Sequence, residues 1–253
     1  MTITVSGIVF GLLLLLPPIY ILYVFGGKLA PKFILASAKL LIYTGILTAV
    51  MYVVCMLDNV LVSVLAALVM AVVAALAVVI KSRLKVHQFF VPACAGVAAT
   101  TIVYALYVLY LVLGVKTPFA AHFFLPVCGL LVGGMLETNY KALATYYVGL
   151  EHHHQLYDYL IGNGAKHTEA VRYFVGKAIE KAAIAAISNM AYLVIGATPV
   201  IFWSMLLTGS DVFTALFAQI FLLIAVISAT IVSVVVTLFV AKRYAFDAYD
   251  ALV

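Results

Sequence analysis

Residues 60–80 read VLVSVLAALVMAVVAALAVVI, an apolar run that contains no charged residue. A membrane-spanning helix needs about 20 such residues, so this stretch alone predicts a helix that crosses a lipid bilayer. The basic residues Lys81, Arg83 and Lys85 follow it directly. An apolar run with a basic flank is typical of a transmembrane helix that ends at the cytoplasmic surface.

The whole chain has the same character. Of its 253 residues, 67% are hydrophobic and 9% are charged, whereas a soluble domain is about 45–50% apolar and about 25% charged. This composition excludes a soluble enzyme, a disordered tail and a nucleic-acid-binding domain, so we expect no nucleic-acid partner. It predicts a polytopic protein embedded in the lipid bilayer. The start of the chain has neither a basic leader nor a small-residue cleavage site, so we expect a retained first helix.

Seven apolar runs are long enough to cross a membrane, and none shows the alternation of a membrane strand. We therefore expect an all-α polytopic protein with about seven transmembrane helices. The expected spans are residues 6–25, 33–57, 60–80, 89–113, 121–141, 182–207 and 212–240. All basic residues except Lys116 fall on one side of this arrangement. Because basic residues favour the cytoplasmic side, the N-terminus is predicted outside and the C-terminus inside, which requires an odd number of spans.

One sizeable segment, about residues 142–181, is too polar to span a membrane. Apolar residues and one histidine recur there at helical spacing on one face: Leu143, Tyr147, Leu150, His154, Tyr157 and Ile161. Gly162-Asn163-Gly164 predicts a helix stop, and Thr168 followed by Glu169 predicts the start of a second helix. The segment is therefore expected to form a helical elbow. It is either a docking surface for a soluble partner or a solvated loop.

A second group consists of glycines, prolines and polar residues that interrupt the apolar sequence, mostly in the fifth and sixth spans, which flank the elbow. Glu137 follows Gly133-Gly134 and is a candidate to face a transport pathway. Lys39 lies near the cytoplasmic end of the second span, where snorkelling is the ordinary explanation. Broken helices often line transport sites, although small residues also serve close packing. The pathway or hinge candidates are Lys39, Pro126, Gly129, Gly133, Gly134, Glu137, Ser188, Asn189 and Pro199.

Catalytic chemistry is not indicated. No Walker A, HExxH or GxSxG motif is present, so the chain is expected to be non-catalytic and unable to hydrolyse ATP alone. The cluster Glu151, His152, His153 and His154 carries potential metal ligands. Consecutive side chains on a helix point about 100° apart, so at most two histidines could share one ion. A polar helix surface with one packed histidine is the favoured interpretation, and a metal site is the weaker one.

Several stretches of the C-terminal half resemble the FetB-type permeases, membrane subunits of bacterial ABC transporters linked to iron export and related to plant aluminium-tolerance proteins. Residues 125–133, LPVCGLLVG, are similar to the family's fifth span. Gly164-Ala165 followed by Glu169-Ala170 resembles its elbow motif, which is akin to the ATPase-docking loop of ABC permeases. Pro199, Gly209 and Asp211 fall at the spacing of another family stretch, although that stretch's glycine and methionines are replaced by residues 200–202, VIF.

The resemblance implies that residues 1–253 form one transmembrane permease domain in the bacterial inner membrane. It implies a homodimer that works with two copies of a separate cytoplasmic ATPase, which binds ATP-Mg; this chain would bind no cofactor. The expected cargo is a metal ion, with iron as one candidate, or a small solute leaving the cytoplasm. The ATPase-coupling residues would be Asp158, Gly162, Asn163, Gly164, Ala165, Lys166, His167, Glu169 and Ala170. The alternatives are a self-sufficient secondary transporter or channel, and a membrane enzyme that uses the histidine cluster.

Overall fold

The structure is a computed structural model that describes residues 13–25, 29–57, 59–165 and 167–244, without the side chains of residues 167, 168 and 189–200. Within these residues the chain forms helices and no strand, which confirms the all-α prediction. The helices are α1 (Leu16–Phe25), α2 (Leu29–Leu57), α3 (Val60–Ser82), α4 (Val86–Leu106), α5 (Ala121–His152), α6 (His154–Gly162), α7 (His167–Leu207) and α8 (Val212–Tyr244). A π-helical segment, Tyr107–Val112, extends α4.

Five helices of the described residues are long and apolar enough to cross a membrane: α2, α3, α4 with its π-helical extension, α5 and α8. They correspond to the second, third, fourth, fifth and seventh predicted spans, and the chain is a multi-pass membrane protein. The first predicted span lies partly outside the described residues, and its described part is the short apolar helix α1. The sixth lies within α7. The total of seven and the orientation of the termini remain predictions.

The chain divides into two compact units, Met1–Met56 and Leu57–Val253. The first unit contains α1 and α2 up to Met56. Within α2 only Ala30 and Val54 are buried, so nearly all of its apolar side chains point outward.

The second unit holds the core. Helix α3 contributes a face of small residues spaced by three and four positions, which allows neighbouring helices to approach closely. The buried alanines of this face are Ala67, Ala71, Ala74 and Ala75. Helix α5 packs against both α3 and α8, and α4 packs against α3 and α8.

The elbow segment is part of this core. One contiguous apolar cluster joins Leu143, Tyr146 and Leu150 of α5 with Tyr157 of α6. The same cluster includes four buried residues from the first three turns of α7: Ala170, Val171, Phe174 and Ala178. The short helix α6 is therefore anchored on the ends of two long helices.

The elbow differs from the sequence prediction in one respect. The helix leaving α5 breaks at His153, whose backbone (φ −114°, ψ 31°) departs from helical geometry, and α6 starts afresh at His154. Because the break shifts the helical phase, the predicted apolar stripe continues only in part: Tyr157 is buried with Leu143 and Leu150, whereas Ile161 is exposed. His154 was expected to pack on this stripe, but its side chain is exposed, and Tyr146 is fully buried instead. The second helix begins at His167, so Thr168 lies inside its first turn and is not its cap.

Candidate functional site

A cleft opens between α5, α7 and α8. It contains a cavity of about 200 Å³. The lining residues are Gly133, Gly134, Glu137 and Thr138 of α5, Ala185 and Ala186 of α7, and Val226, Ile227 and Thr230 of α8. A smaller adjoining pocket shares Thr138, Ala186 and Thr230 with it and adds Ile179, Ala182 and Ala183 from α7. Three predicted pathway residues, Gly133, Gly134 and Glu137, therefore lie together on one wall.

The two adjacent glycines of α5 have different surroundings. A Cβ atom placed on Gly134 would lie 2.5 Å from Val226 Cγ1, which is closer than van der Waals contact allows. At Gly133 a Cβ atom would meet nothing within 4 Å. Gly134 thus allows α5 and α8 to approach each other, whereas Gly133 leaves open space beside the cleft.

Glu137 carries charge at the edge of the cleft. Its Oε1 lies 2.6 Å from Lys141 Nζ, one turn further along α5, and both side chains are exposed. A second lysine is close by, because Lys81 Nζ lies 4.5 Å from the centre of the Tyr140 ring. One carboxylate and two ammonium groups therefore gather beside the middle of α5, which runs from Ala121 to His152. The walls beyond Glu137 are mostly apolar.

The remaining pathway candidates are not all at the cleft. Gly129 faces α3, since a Cβ atom there would lie 3.2 Å from Met70 Cε. Pro126 is exposed on α5, and Lys39 is exposed on α2 of the first unit. The Ser188 hydroxyl donates to the carbonyl of Ala185 in its own helix, 3.0 Å away. The side chains of Asn189 and Pro199 lie outside the described residues.

A buried polar node, which sequence reasoning did not single out, joins α5 to α8. The Asn139 side chain is fully buried and all its groups are used. Its Nδ2 donates to Met135 O (2.9 Å) and to Ser233 Oγ (3.0 Å), and its Oδ1 accepts from Thr237 Oγ1 (2.8 Å). The available signal was the polarity of these residues within apolar spans, where polar side chains bond across helices. We call Asn139, Ser233 and Thr237 the Asn139 node.

Gly96 of α4 lies directly against the Asn139 node. A Cβ atom on Gly96 would clash with the Thr237 side chain and would lie 3.0 Å from Ser233 O. Only a glycine fits there without displacing α8. Three further polar contacts tie these helices together: Gln88 Nε2 to Tyr244 O (2.6 Å), Tyr104 Oη to Ser228 Oγ (2.8 Å) and Thr101 Oγ1 to Met135 Sδ (4.0 Å).

The predicted helix stop in the elbow is confirmed. Gly164 adopts a positive φ of 84°, and two hydrogen bonds close the end of α6: Ala165 N to Leu160 O (3.0 Å) and Gly164 N to Ile161 O (2.9 Å). This pair forms a Schellman motif, which favours glycine at the left-handed position. The Asn163 side chain adds a bond from Nδ2 to Tyr159 O of 2.7 Å. The turn is thus well defined.

The predicted coupling residues divide between surface and core. Asp158, Gly162, Asn163, Gly164 and Glu169 are exposed, Ala165 is half-buried and Ala170 is fully buried. Lys166 and the side chain of His167 lie outside the described residues. The outer face of α6 also presents apolar side chains, with Leu156 37%, Tyr159 66% and Ile161 38% exposed. Tyrosine is one of the residue types enriched among those that contribute most to protein binding.

The histidine run is spread over the surface. Glu151, His152, His153 and His154 are all exposed. His154 Nε2 contacts Asp158 Oδ2 at 3.0 Å, and His152 Nδ1 lies 3.1 Å from Val148 O in its own helix. Across the described ranges, no group of three or more histidine, cysteine, aspartate or glutamate side chains is placed to hold a metal ion. The structure therefore does not assemble the metal site considered from the sequence.

A family model described as "Uncharacterised protein family (UPF0014)" covers residues 5–246, nearly the whole chain. No curated protein and no solved structure matches the chain.

Proposed function

The chain belongs to the UPF0014 family, which is ABC-transporter permease-like, and from this premise we propose that it is the membrane-spanning subunit of an ABC transporter. It works as a homodimer with a separate cytoplasmic ATPase that binds ATP-Mg. The complex exports a metal ion, with iron as one candidate, or a small solute across the bacterial inner membrane. The chain itself supplies the pathway and performs no chemistry.

The observation that carries this proposal is the shared packing of the elbow and the walls of the cleft. Tyr157 of α6 lies in the same apolar cluster as Leu150 of α5 and Phe174 of α7. Further along, α5 and α7 form two of the three walls of the cleft. Because protein interiors are densely packed and transmit strain, a push on α6 reaches both walls.

The outer face of the elbow supports docking to a soluble partner. Tyr159 and Ile161 offer apolar contact area, and exposed Asp158 and Glu169 add charge around them. Buried aromatic anchors with a polar rim are typical of protein interfaces. The Schellman turn after α6 presents these residues on a defined backbone. A solvated loop would require neither the defined turn nor the apolar face.

The proposal is tested by purifying the tagged chain from its native host in mild detergent and identifying the proteins that remain bound. We expect a soluble chain with a GxxxxGK[ST] phosphate-binding loop in an amount close to that of the permease. Loss of every ATPase under conditions that preserve other ABC complexes of the same host contradicts the proposal. Vanadate-sensitive ATP hydrolysis by the purified complex distinguishes a functional partner from a contaminant.

A self-sufficient secondary transporter is the second candidate, and the Glu137–Lys141 pair beside the cleft favours it. Ionisable groups within membrane helices often belong to ion or proton pathways. This alternative predicts transport that is abolished by proton or sodium uncouplers and unaffected by ATP depletion. The ABC permease predicts the opposite pair of results, so one transport assay in vesicles separates the two.

A further inference from the structure

Among the described side chains of the second unit, polar contacts tie α4, α5 and α8 to one another. Four hydrogen bonds join α8 to its two neighbours: Asn139–Ser233 and Asn139–Thr237 from α5, and Gln88–Tyr244 and Tyr104–Ser228 from α4. Between α4 and α5 there is only a weak contact of 4.0 Å from Thr101 Oγ1 to Met135 Sδ, because the Thr101 hydroxyl already donates to Val97 O. These contacts are distributed along much of α4 and α8. The three helices are therefore tied together near both ends of α4 as well as at the Asn139 node.

These bonds resist relative movement because they are directional. A hydrogen bond weakens steeply when its angle or length changes, and a buried polar group that loses its partner is costly. Asn139 would lose two interhelical bonds at once if α5 slid along α8. The close approaches at Gly96 and Gly134 add steric interlock, because each brings a backbone against a side chain of α8.

The α7 wall of the cleft has a different chemistry. Its lining residues are Ile179, Ala182, Ala183, Ala185 and Ala186. Their side chains are apolar and nearly all are small, so they form no hydrogen bond across the cleft. Apolar contact is non-directional, and small side chains present a smooth surface. Helix α7 can therefore tilt against α5 and α8 without breaking a polar contact of these residues.

From this contrast we infer that α4, α5 and α8 move as one body held by the Asn139 node, and that α7 is the wall that opens and closes the cleft. The inference rests on the proposed function, since it assumes that a partner at the elbow drives the movement. It goes further by assigning the movement to one helix. The elbow cluster then acts as the pivot, because it packs Ala170 and Phe174 in the first turns of α7 against Leu150 of α5. Asn139 is a positioning residue in this scheme and touches no cargo.

Two cysteine pairs that share one position test this assignment. With Cys55, Cys94 and Cys128 replaced by serine, Ala186→Cys with Thr230→Cys reports on α7 against α8. Thr138→Cys with Thr230→Cys reports on α5 against α8. All three positions line the cleft, and the hydroxyls of Thr138 and Thr230 bond only within their own helices. The measurement is the rate of cross-linking by a short bifunctional thiol reagent in membranes that contain the ATPase, without nucleotide and with ATP plus vanadate.

We expect the α7–α8 pair to change its cross-linking rate several-fold between the two states and the α5–α8 pair to keep its rate. A state-dependent rate at the α5–α8 pair overturns the inference but leaves the proposed function standing. If neither pair responds to nucleotide, the inference fails, and the uncoupler and ATP-depletion assay described above decides the proposed function separately.

A variant of the Asn139 node provides a second measurement. Its result would not change if Asn139 only stabilised the fold. Asn139→Ala is expected to make the α5–α8 rate depend on nucleotide, since the bonds between the two helices are lost. Ser233→Ala removes one bond only and provides a milder version if Asn139→Ala fails to fold. An α5–α8 rate that stays constant in a folded variant overturns the role of the node.

Discussion

Thr237 Oγ1 of α8 donates a hydrogen bond of 2.8 Å to Asn139 Oδ1 of α5, and both side chains are fully buried. The two residues lie 98 positions apart in the chain, so the bond fixes one long helix against another. Gly96 of α4 leaves room for Thr237 at the same place. Helices α4, α5 and α8 thus meet at the Asn139 node, and the next two predictions test their packing there.

Removing the Asn139 amide should destabilise the protein. Asn139→Ala leaves the Ser233 and Thr237 hydroxyls without their partner, and we expect a loss of about 1–2 kcal/mol in the free energy of unfolding. The measurement is thermal unfolding of the detergent-purified protein followed by intrinsic fluorescence. Ser204→Ala is the control, because Ser204 is exposed and bonds only to Ile201 O of its own helix. Equal melting temperatures for the two variants contradict the role of the node.

Filling the space at Gly96 should also be costly. The added methyl group of Gly96→Ala would overlap the Thr237 side chain, and overpacking of this kind costs about 1–3 kcal/mol. We expect a lower melting temperature in the same assay. Gly45→Ala is the matched control, since it lies in the interior of α2 with nothing within 4 Å of the new atom. A Gly96→Ala protein as stable as the control would show that α4 is not closely packed there.

The elbow turn should tolerate no β-branched residue at its left-handed position. Gly164 has a φ of 84°, which costs an L-residue about 1–2 kcal/mol. Gly164→Val is therefore expected to distort the turn and to lower the amount of cargo moved per ATP hydrolysed, while membrane insertion stays normal. Gly176→Val on the exposed face of α7 is the control. Unchanged transport by Gly164→Val in proteoliposomes would remove the elbow from the mechanism.

Tyr159 should be an anchor for the ATPase. It is 66% exposed on α6, and truncation of an interface tyrosine commonly costs 1 kcal/mol or more, about fivefold in affinity. We expect Tyr159→Ala to retain clearly less ATPase in the mild-detergent purification. Tyr110→Ala is the control. Tyr110 is similarly exposed and lies in the π-helical segment that extends α4, at the end opposite Val86. Equal retention by both variants would place the docking surface elsewhere.

The orientation of the chain can be tested with an impermeant thiol reagent. In the cysteine-free background, Asn163→Cys should be labelled only after the membrane is opened, whereas Thr117→Cys should be labelled in intact cells. Both positions are exposed. The expectation follows from the excess of basic residues on the elbow side. The reverse labelling pattern would invert the topology and place the elbow outside the cell, where no ATP-driven partner could reach it.

The positions of the spanning helices were predictable because their ends carry strong signals. Asn59 caps α3, with its side chain accepting from Leu61 N, and charged residues follow Ser82. The break at His153 was not predicted, because no glycine or proline marks it. Without such a marker, the periodicity of the apolar residues suggested one continuous helix.

The candidate site was only partly predictable for a related reason. Glu137 and Asn139 are two positions apart on α5, and both are polar residues in an apolar helix. In the structure Glu137 lies at the edge of the cleft, whereas Asn139 is buried against α8. Spanning helices are apolar on all sides, so their sequences carry little information about which face meets which neighbour. Which face of a helix packs against which neighbour depends on contacts such as that of Gly96 with Thr237, which join distant parts of the chain.

The length of α7 has a mechanical consequence. Its 41 residues correspond to about 60 Å at 1.5 Å per residue. Pro199 lies within this helix and can bend it, so a movement at the elbow is followed here only as far as the cleft. A rotation of about 10° about Ala170 displaces Ala186, about 24 Å further along the helix, by about 4 Å, while residues one turn from Ala170 move by about 1 Å. The first part of α7 therefore acts as a lever: a displacement near the elbow is amplified about fourfold at the wall of the cleft.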